Sequence, residues 1–219
     1  MRTSVAAPGL DASVNVVGTV NVLEAARRVG ARVVFASTGG AIYGECARPA
    51  KEDDPCLPLS PYGAAKLAAE GYLGAFGRLY GQRHVALRFG NVYGPGQDPH
   101  GEAGVVAIFL GRLRAGEQCR IFGDGTQSRD YVYVGDVARA VLAAVVRDVS
   151  GVLNIGTGVA TSVLGLYEVC RRAAGSDAAP VHEPARRGEL ARSVLDPGRA
   201  ADALGLRAET TLEIGRAHV

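Results

Sequence analysis

A tyrosine and a lysine at helical spacing are the first residues of this sequence to suggest chemistry. Tyr62 and Lys66 lie four positions apart, and Ser60 and Pro61 just before them are typical of a helix cap and a first helical position. The pair is therefore predicted to share one helix face. A phenol with a pKa of about 10 is a poor base at neutral pH. Because a nearby ammonium and a helix N-terminus both favour the phenolate, we expect the pKa of Tyr62 to be lowered.

Two hydroxyl residues are predicted to lie beside this pair. Residues 32–36 form a short apolar run bounded by glycines, which is typical of a buried strand, and Ser37 and Thr38 follow at its carboxyl end. Ligands of open parallel sheets bind at that edge. A hydroxyl with Tyr62 and Lys66 predicts an acid–base site that removes a proton from an alcohol while hydride leaves for a cofactor. An isolated Tyr-x-x-x-Lys is more often a surface aromatic beside a solvated lysine, so the prediction depends on this context.

The composition is that of an ordinary globular protein. The chain has 219 residues with a net charge of +2, which gives no electrostatic case for binding nucleic acid or a membrane. No apolar run is long enough to span a bilayer. The cysteines are scattered and lack metal-ligand spacing, which predicts reduced thiols in a cytoplasmic protein without a metal site. They are Cys46, Cys56, Cys119 and Cys170.

Apolar periodicity and the positions of Gly, Pro and Asp predict the other elements. Residues 1–10 show no clear periodicity, and Val17 is placed on the inward side of the first helix. Asp136 is predicted to cap a helix and Thr161 to begin one. Helices are predicted over 14–29, 61–80, 105–115, 136–146, 161–174 and 197–205, and strands over 32–36, 84–89, 131–134 and 152–155.

Four segments in a fixed order resemble one family. STGGAIYG, SPYGAAK, LRFGNVYGPGQ and GDGTQSRDYVYVGDVARA are similar to motifs of the extended short-chain dehydrogenase/reductase family, and most of all to its nucleotide-sugar epimerases of the UDP-glucose 4-epimerase type. The resemblance implies an α/β fold: a truncated, Rossmann-like, doubly wound parallel sheet with a smaller C-terminal substrate-binding domain. The implied division is a partial NAD-binding domain of residues 1–92 joined by 130–157, and a substrate-binding region of 93–129 and 158–212.

The resemblance also implies roles for individual residues. Thr38, Tyr62 and Lys66 are expected to be catalytic, and the choice between Ser37 and Thr38 as the reacting hydroxyl stays open. NAD is the implied cofactor, with Asn15, Ser37, Tyr62 and Lys66 as its expected contacts. The expected substrate contacts are Asn91, Phe122, Arg129, Arg186 and Glu189, with a surface salt bridge to Asp130 as the alternative for Arg129.

The sequence departs from the family pattern in two places. It lacks the family's amino-terminal G-x-x-G-x-x-G loop and the acidic residue that should follow for the adenosine ribose, so we expect one βαβαβ half, on the order of 70 residues, to be missing. The clamp for the cofactor pyrophosphate belongs to that half. Residues 213–219 do not continue the pattern and are expected to be a truncated or non-native tail. A catalytically inactive fragment is therefore an alternative to an active enzyme.

Gly39 and Gly40 beside Thr38 favour one reaction within the family. Dehydratases and decarboxylases carry acidic residues next to the reacting hydroxyl, and these glycines supply no acid. The predicted reaction is NAD-dependent epimerisation at C4 of a nucleotide sugar through a 4-keto intermediate, with UDP-glucose and UDP-galactose as the pair and UDP or dTDP left open. Another dehydratase, decarboxylase or reductase of the family is the alternative. A homodimer is the expected assembly, and the sheet edge without its first strands is expected to be exposed.

Overall fold

Helices cover both sides of a parallel sheet in this protein. The computed structural model describes residues 2–99, 104–186 and 188–212. No helix within these ranges is long and apolar enough to cross a membrane. The helices are α1 (Arg2–Ala6), α2 (Pro8–Ala12), α3 (Gly18–Val29), α4 (Gly39–Ile42), α5 (Pro61–Tyr80), α6 (Val105–Arg114), α7 (Val134–Val146), α8 (Val163–Ala174) and α9 (Gly198–Leu204), with a π-helical turn, Ser13–Val17, between α2 and α3.

The strands form one central sheet and several short pairs. They are β1 (Val34–Thr38), β2 (Val85–Phe89), β3 (Asn91–Tyr93), β4 (Arg120–Phe122), β5 (Ser128–Arg129), β6 (Tyr131–Tyr133), β7 (Gly151–Ile155), β8 (Thr161–Ser162), β9 (Val181–Glu183) and β10 (Arg192–Ser193). The central sheet is parallel, in the order β1–β2–β7. The short sheets are β3–β6, β4–β9 and β10–β5–β8.

Register brings the carboxyl ends of the central strands to one edge of the sheet. Thr38 pairs with Phe89, and Phe89 pairs with Ile155. β1 begins two residues later than predicted, so Ser37 and Thr38 are its last residues rather than the residues after it. Within the described residues β1 pairs only with β2, which leaves its other edge open, as expected.

The central sheet and the short sheets pack against separate hydrophobic clusters. One packs α7 and α9 against β2 and β7, with Leu87, Val137 and Leu204 among its buried members. Another packs α6 against α8 and includes Leu110 and Tyr167. The second cluster gives the C-terminal part of the chain a core of its own, while the domain limits stay a prediction.

The amino-terminal helical region begins earlier than predicted. α2 starts with Pro8 at its first turn, and helix continues through the π-helical turn to Gly30, whose left-handed φ of 67° ends α3 as predicted. Leu10, Val14 and Val17 are all more than half exposed, so Val17 does not face inward as predicted. Periodicity failed to show this helix because much of its apolar surface is not buried in the chain.

Two predicted helix starts also differ from the structure. α7 begins at Val134, so Asp136 lies inside its first turn, buried, where it accepts a hydrogen bond from the Thr210 amide at 3.1 Å. Ser162, rather than Thr161, is the cap of α8, with its Oγ accepting from the Gly165 amide at 2.9 Å. Asp136 was misassigned because an Asp at a helix start suits both a cap and a first-turn position.

One guanidinium joins the amino ends of the central strands. Arg32 donates from Nε to the Arg83 carbonyl at 2.6 Å, from Nη1 to the Arg147 carbonyl at 2.8 Å, and from Nη2 to the Val149 carbonyl. Beside it, the Val33 amide donates to Nδ1 of His84 at 3.1 Å. These contacts fix the edge of the sheet opposite the candidate site.

Candidate active site

Helix α5 carries Tyr62 and Lys66 and begins as the sequence predicts. Ser60 is its N-cap, and the Ser60 Oγ accepts a hydrogen bond from the Gly63 amide at 3.2 Å. Pro61 occupies the first turn, where its missing N–H costs nothing. Tyr62 therefore lies in the first turn of α5, and Lys66 lies about one turn further along the same face.

Gly63 allows the start of α5 to lie against α4. A Cβ built on Gly63 would be only 2.4 Å from the Ala41 carbonyl oxygen, so a larger residue would push the two helices apart. This close approach brings Tyr62 to the carboxyl end of β1. There the Tyr62 and Thr38 side chains line the same cavity.

A cavity of about 200 Å³ opens beside Thr38 and Tyr62 at this edge of the sheet. Asn91, the first residue of β3, and Gln97 also line it, as do Tyr93 and Tyr131, and glycines and apolar side chains complete the wall. None of the described residues that line the cavity carries a charge. Phenols, a hydroxyl and two amides around an uncharged space can hold an alcohol and exchange a proton with it.

Ser37 and Thr38 lie on opposite faces of β1, as successive strand residues do. Thr38 lines the cavity. Ser37 is only 4% exposed, and its hydroxyl donates to Oε1 of Glu70 at 2.5 Å. Of the two hydroxyls that the sequence left open, Thr38 is the one in the cavity, and the Ser37 side chain is already engaged in the interior.

A buried ion pair ties α5 to the central sheet. Arg88 of β2 donates to Glu70 of α5 through Nη2 at 2.6 Å and through Nε at 3.0 and 3.1 Å. Its Nη1 donates to the Tyr43 hydroxyl at 2.7 Å, and that hydroxyl donates to Oδ1 of Asn154 in β7 at 2.8 Å. Burial alone would lower the pKa of Arg88, but the hydrogen bonds and charge of Glu70 raise it well above its usual value. The sequence analysis missed Glu70, although its position four residues after Lys66 was a usable signal.

The pKa of Tyr62 shifts in the direction opposite to the one predicted. Burial raises it above its ordinary value of 10.0, the nearby Thr38 hydroxyl opposes the rise, and the charge of Asp11 adds to it. The Lys66 ammonium donates to the Ala36 carbonyl at 3.1 Å and lies 5.9 Å from the centre of the Tyr62 ring. Lys66 is thus held by the backbone of β1 rather than by the phenol, and burial lowers its own pKa.

Asp11 is a further charged residue near this pair. Its charge raises the pKa of Lys66 as well as that of Tyr62. Oδ1 of Asp11 accepts a hydrogen bond from the Asn15 side chain at 3.1 Å, so the Asn15 amide is already engaged. Oδ2 of Asp11 is buried and has no hydrogen-bond partner in the described part of the chain. The sequence analysis missed Asp11 because the helix was predicted to begin only at residue 14.

The residues expected to bind a nucleotide form a second cluster outside the cavity lining. The guanidinium of Arg186 lies over the Phe122 ring, 3.5 Å from its centre. Arg129 donates to the Leu190 carbonyl at 2.8 Å and lies 3.4 Å from the Glu189 carboxylate. This region therefore offers two guanidinium groups, one of them stacked on an aromatic ring, while Asn91 is the expected substrate contact that lies in the cavity itself.

Asp130 is not the ion-pair partner of Arg129. Its carboxylate is buried and accepts hydrogen bonds from the Thr157 amide at 2.9 Å, the Thr157 hydroxyl at 2.6 Å and the Gly158 amide at 3.1 Å. Asp130 thus holds the turn after β7, and the alternative of a surface salt bridge between Arg129 and Asp130 is wrong.

Within the described ranges, no three His, Cys, Asp or Glu side chains are grouped so that they could hold a metal ion. The described cysteines are free thiols, as expected, with Cys119 and Cys170 buried and Cys46 and Cys56 partly buried.

Several known proteins that resemble this chain in sequence and fold are named as nucleotide-sugar enzymes. The chain is 47% identical over 218 residues to the UDP-glucose 4-epimerase of Mycolicibacterium smegmatis, a match that covers 98% of this chain and 70% of that one. The crystal structure of UDP-glucose 4-epimerase from Thermotoga maritima with UDP-glucose superposes with a TM-score of 0.93 at 46% identity, covering 97% of this chain and 70% of that one. The Thermus thermophilus UDP-glucose 4-epimerase complex with NAD superposes with a TM-score of 0.91 at 46% identity, covering 99% of this chain and 71% of that one.

These similarities confirm the predicted fold class and the predicted family resemblance. The structure has the parallel α/β sheet of its solved relatives. The family model described as NAD dependent epimerase/dehydratase matches residues 1–156. This chain therefore belongs to the NAD-dependent epimerase/dehydratase family, whose enzymes use NAD as their cofactor.

Proposed function

We propose that this chain carries the sugar-reacting site of a nucleotide-sugar 4-epimerase that interconverts UDP-glucose and UDP-galactose. The observation that carries the proposal is the convergence of Thr38, Tyr62 and Asn91 on one cavity, with Lys66 one turn along the same helix. The names of the most similar relatives support the same reaction.

The residues present fit one end of NAD. An ammonium and a phenol at the carboxyl edge of a parallel sheet are suitable partners for ribose hydroxyls, and Lys66 and Tyr62 supply them here. The sequence has no glycine-rich loop to hold the pyrophosphate. When bound, NAD supplies the acceptor and donor of hydride. Lys66 and Tyr62 would hold its nicotinamide ribose. The other two expected NAD contacts are engaged within the chain, because Asn15 bonds to Asp11 and Ser37 bonds to Glu70.

Tyr62 is proposed to exchange the proton of the sugar 4-hydroxyl. Its phenolate accepts that proton as the C4 carbon loses hydride, and the resulting phenol returns the proton when hydride comes back to the other face of the 4-keto sugar. Thr38 lines the same cavity as Tyr62 and bridges the sugar oxygen and the phenol. Since burial raises the pKa of Tyr62 in the free chain, the phenol is neutral at pH 7, and this role requires that ligand binding lower its pKa.

The nucleotide is proposed to bind beyond the cavity. Arg129 and Arg186 are planar donors that suit a diphosphate, and Phe122 offers an apolar face for the nucleotide. Glu189, within 3.4 Å of Arg129, is placed to accept a hydrogen bond from a ribose hydroxyl. Asn91 lies in the cavity and so would contact the part of the substrate nearest the sugar.

The uncharged cavity favours epimerisation over elimination. Gly40 lines the cavity beside Thr38, and no carboxylate is among its described lining residues, so the site offers no acid to a leaving hydroxyl. A dehydratase or decarboxylase is therefore the weaker alternative within the family.

A second candidate function is binding of a nucleotide sugar without catalysis. It is favoured by the lack of the family's amino-terminal G-x-x-G-x-x-G loop in a chain that spans 70% of its relative's length; the same pattern at residues 71–77 lies inside α5 and forms no loop. Such a chain would bind UDP-glucose through the residues above and hold no NAD. A homodimer and a cytoplasmic location also remain predictions, the first of which light scattering of the purified chain would test.

The test is conversion of UDP-galactose to UDP-glucose by the purified chain with added NAD. We expect Tyr62→Phe to abolish turnover, whereas Tyr72→Phe, an exposed tyrosine on the same helix, should leave it unchanged. Turnover that survives Tyr62→Phe would show that the acid–base assignment is wrong. Binding of UDP-glucose with no turnover and no retained NAD would favour the second candidate.

A further inference from the structure

Two adjacent glycines follow Thr38, and the backbone requires neither of them. Gly39 and Gly40 lie in α4, and neither is among the described glycines that adopt a positive φ. Glycine weakens a helix relative to alanine, because it loses more conformational freedom on folding. A reason for each glycine must therefore be sought in what surrounds it.

Packing explains Gly39 and does not explain Gly40. A Cβ on Gly39 would be 2.5 Å from Cδ1 of Leu195, so the interior leaves no room for a side chain. The three atoms nearest to a Cβ on Gly40 would instead be polar side-chain oxygens: Asn91 Oδ1 in tight contact at 3.3 Å, and Ser193 Oγ and Thr38 Oγ1 at 4.0 Å. Gly40 also lines the cavity. It holds open a space bounded by hydroxyls and an amide, directly beside the reacting hydroxyl.

The chemistry of this space indicates what it accepts. Thr38, Asn91 and Ser193 can donate to or accept from a hydroxyl group. A carboxylate there would need a cation or several dedicated donors to replace its hydration, and the described residues that line the cavity include no Lys, Arg or His. The space therefore suits a neutral, hydroxyl-bearing substituent better than an acidic one.

We infer that Gly40 determines the specificity of the sugar site, by keeping open a space for an uncharged hydroxyl-bearing substituent next to the reacting carbon, with Ser193 as a further contact for it. The inference rests on the proposed function and narrows its substrate class to neutral hexoses, excluding uronic acids. Substrate binding, rather than packing, then explains why a helix-weakening glycine is present at position 40 of α4.

Calorimetric titration of the chain tests this without any need for turnover. The ligands are UDP, UDP-glucose and UDP-glucuronate, and the variants are Gly40→Ala and Gly71→Ala. Gly71 is an exposed helical glycine with nothing within 4 Å of its Cβ position, so its replacement controls for the general effect of alanine. Thermal melts of each variant report folding.

The wild-type chain should bind UDP-glucose at least about tenfold more tightly than UDP-glucuronate. Gly40→Ala should weaken UDP-glucose binding by about tenfold, since one methyl group in a fitted pocket has effects of this size. It should leave UDP binding and the melting temperature unchanged, because the nearest atom is a side-chain oxygen that can shift. Gly71→Ala should change no affinity.

Two results would overturn the inference alone: equal affinity of the wild type for UDP-glucose and UDP-glucuronate, or UDP-glucose binding that Gly40→Ala leaves intact. The comparison of UDP-glucose with UDP-glucuronate uses the wild-type chain alone, so it can overturn the inference even if Gly40→Ala fails to fold. Failure of the wild type to bind either UDP or UDP-glucose would instead overturn the proposed function, and the inference with it.

Discussion

Replacing Glu70 by glutamine removes one charge of a buried ion pair while keeping the shape of the side chain. Arg88 is 4% exposed and Glu70 is 8% exposed, and three hydrogen bonds of 2.6 to 3.1 Å join them. Glu70→Gln leaves the Arg88 guanidinium buried without a counter-charge. It also removes the carboxylate that accepts the Ser37 hydroxyl.

The expected loss of stability follows from this burial. Breaking a buried ion pair by removing one partner costs about 3–5 kcal/mol, because the remaining charge stays desolvated. In a chain of this length, a loss of 1 kcal/mol in the free energy of unfolding lowers the melting temperature by roughly 2–4 °C. The melting temperature of Glu70→Gln should therefore fall by roughly 6–20 °C.

Thermal unfolding followed by circular dichroism measures this loss against two controls. Glu24→Gln breaks an exposed pair, Arg27–Glu24 at 3.0 Å, and should cost less than about 1 kcal/mol. The double variant Glu70→Leu/Arg88→Met removes both charges and should lie closer to the wild type than Glu70→Gln does. A Glu70→Gln variant within about 1 kcal/mol of the wild type would refute the claim that this pair is desolvated and tightly coupled.

Three further predictions concern positions away from the cavity. Burial and the charge of Arg32 lower the pKa of His84, so the unfolded chain binds more protons than the folded one. Stability to urea should therefore fall as the pH drops below about 6.5. A His84→Gln variant should show a weaker fall in stability between pH 7.5 and 5.5, and a fall equal to that of the wild type would contradict the assignment. Ser60→Ala removes the cap of α5 and should cost about 1 kcal/mol in a urea melt, whereas no measurable loss would mean that the Gly63 amide finds another acceptor. Gly156→Ala would place a Cβ 2.5 Å from Oδ2 of Asp130 and should lower the melting temperature, and a stable variant would show that this turn can shift.

Much of the fold could be predicted because its signals are local. Ser60, Pro61 and Gly81 set the limits of α5, and each acts through its own backbone geometry or cap. β2 and β7 are short apolar runs, and their limits agree with prediction to within one residue. The helical region before residue 14 was missed, since Leu10, Val14 and Val17 remain exposed and form no buried stripe.

The closeness of Thr38, Tyr62 and Lys66 could be predicted from the sequence, whereas the electrostatics around them could not. Spacing alone placed Tyr62 and Lys66 on one face and Thr38 near them. The sequence could not show that the Lys66 ammonium bonds to the Ala36 carbonyl, nor that burial would dominate the pKa of Tyr62. Such effects depend on tertiary burial and on contacts between residues distant in sequence, and residue types do not report them.

The Arg32 guanidinium has a consequence for the order in which the chain folds. It joins carbonyls that lie 51, 115 and 117 residues away in sequence, so two of its contacts close very long loops. Such closures are entropically expensive and are made late, after local helices have formed. During synthesis, β1 and β2 can pair early, but β7 joins them only after residue 155 has left the ribosome. Until then the edge of β2 that β7 will cover stays unpaired, and an unpaired strand edge in a nascent chain is prone to association.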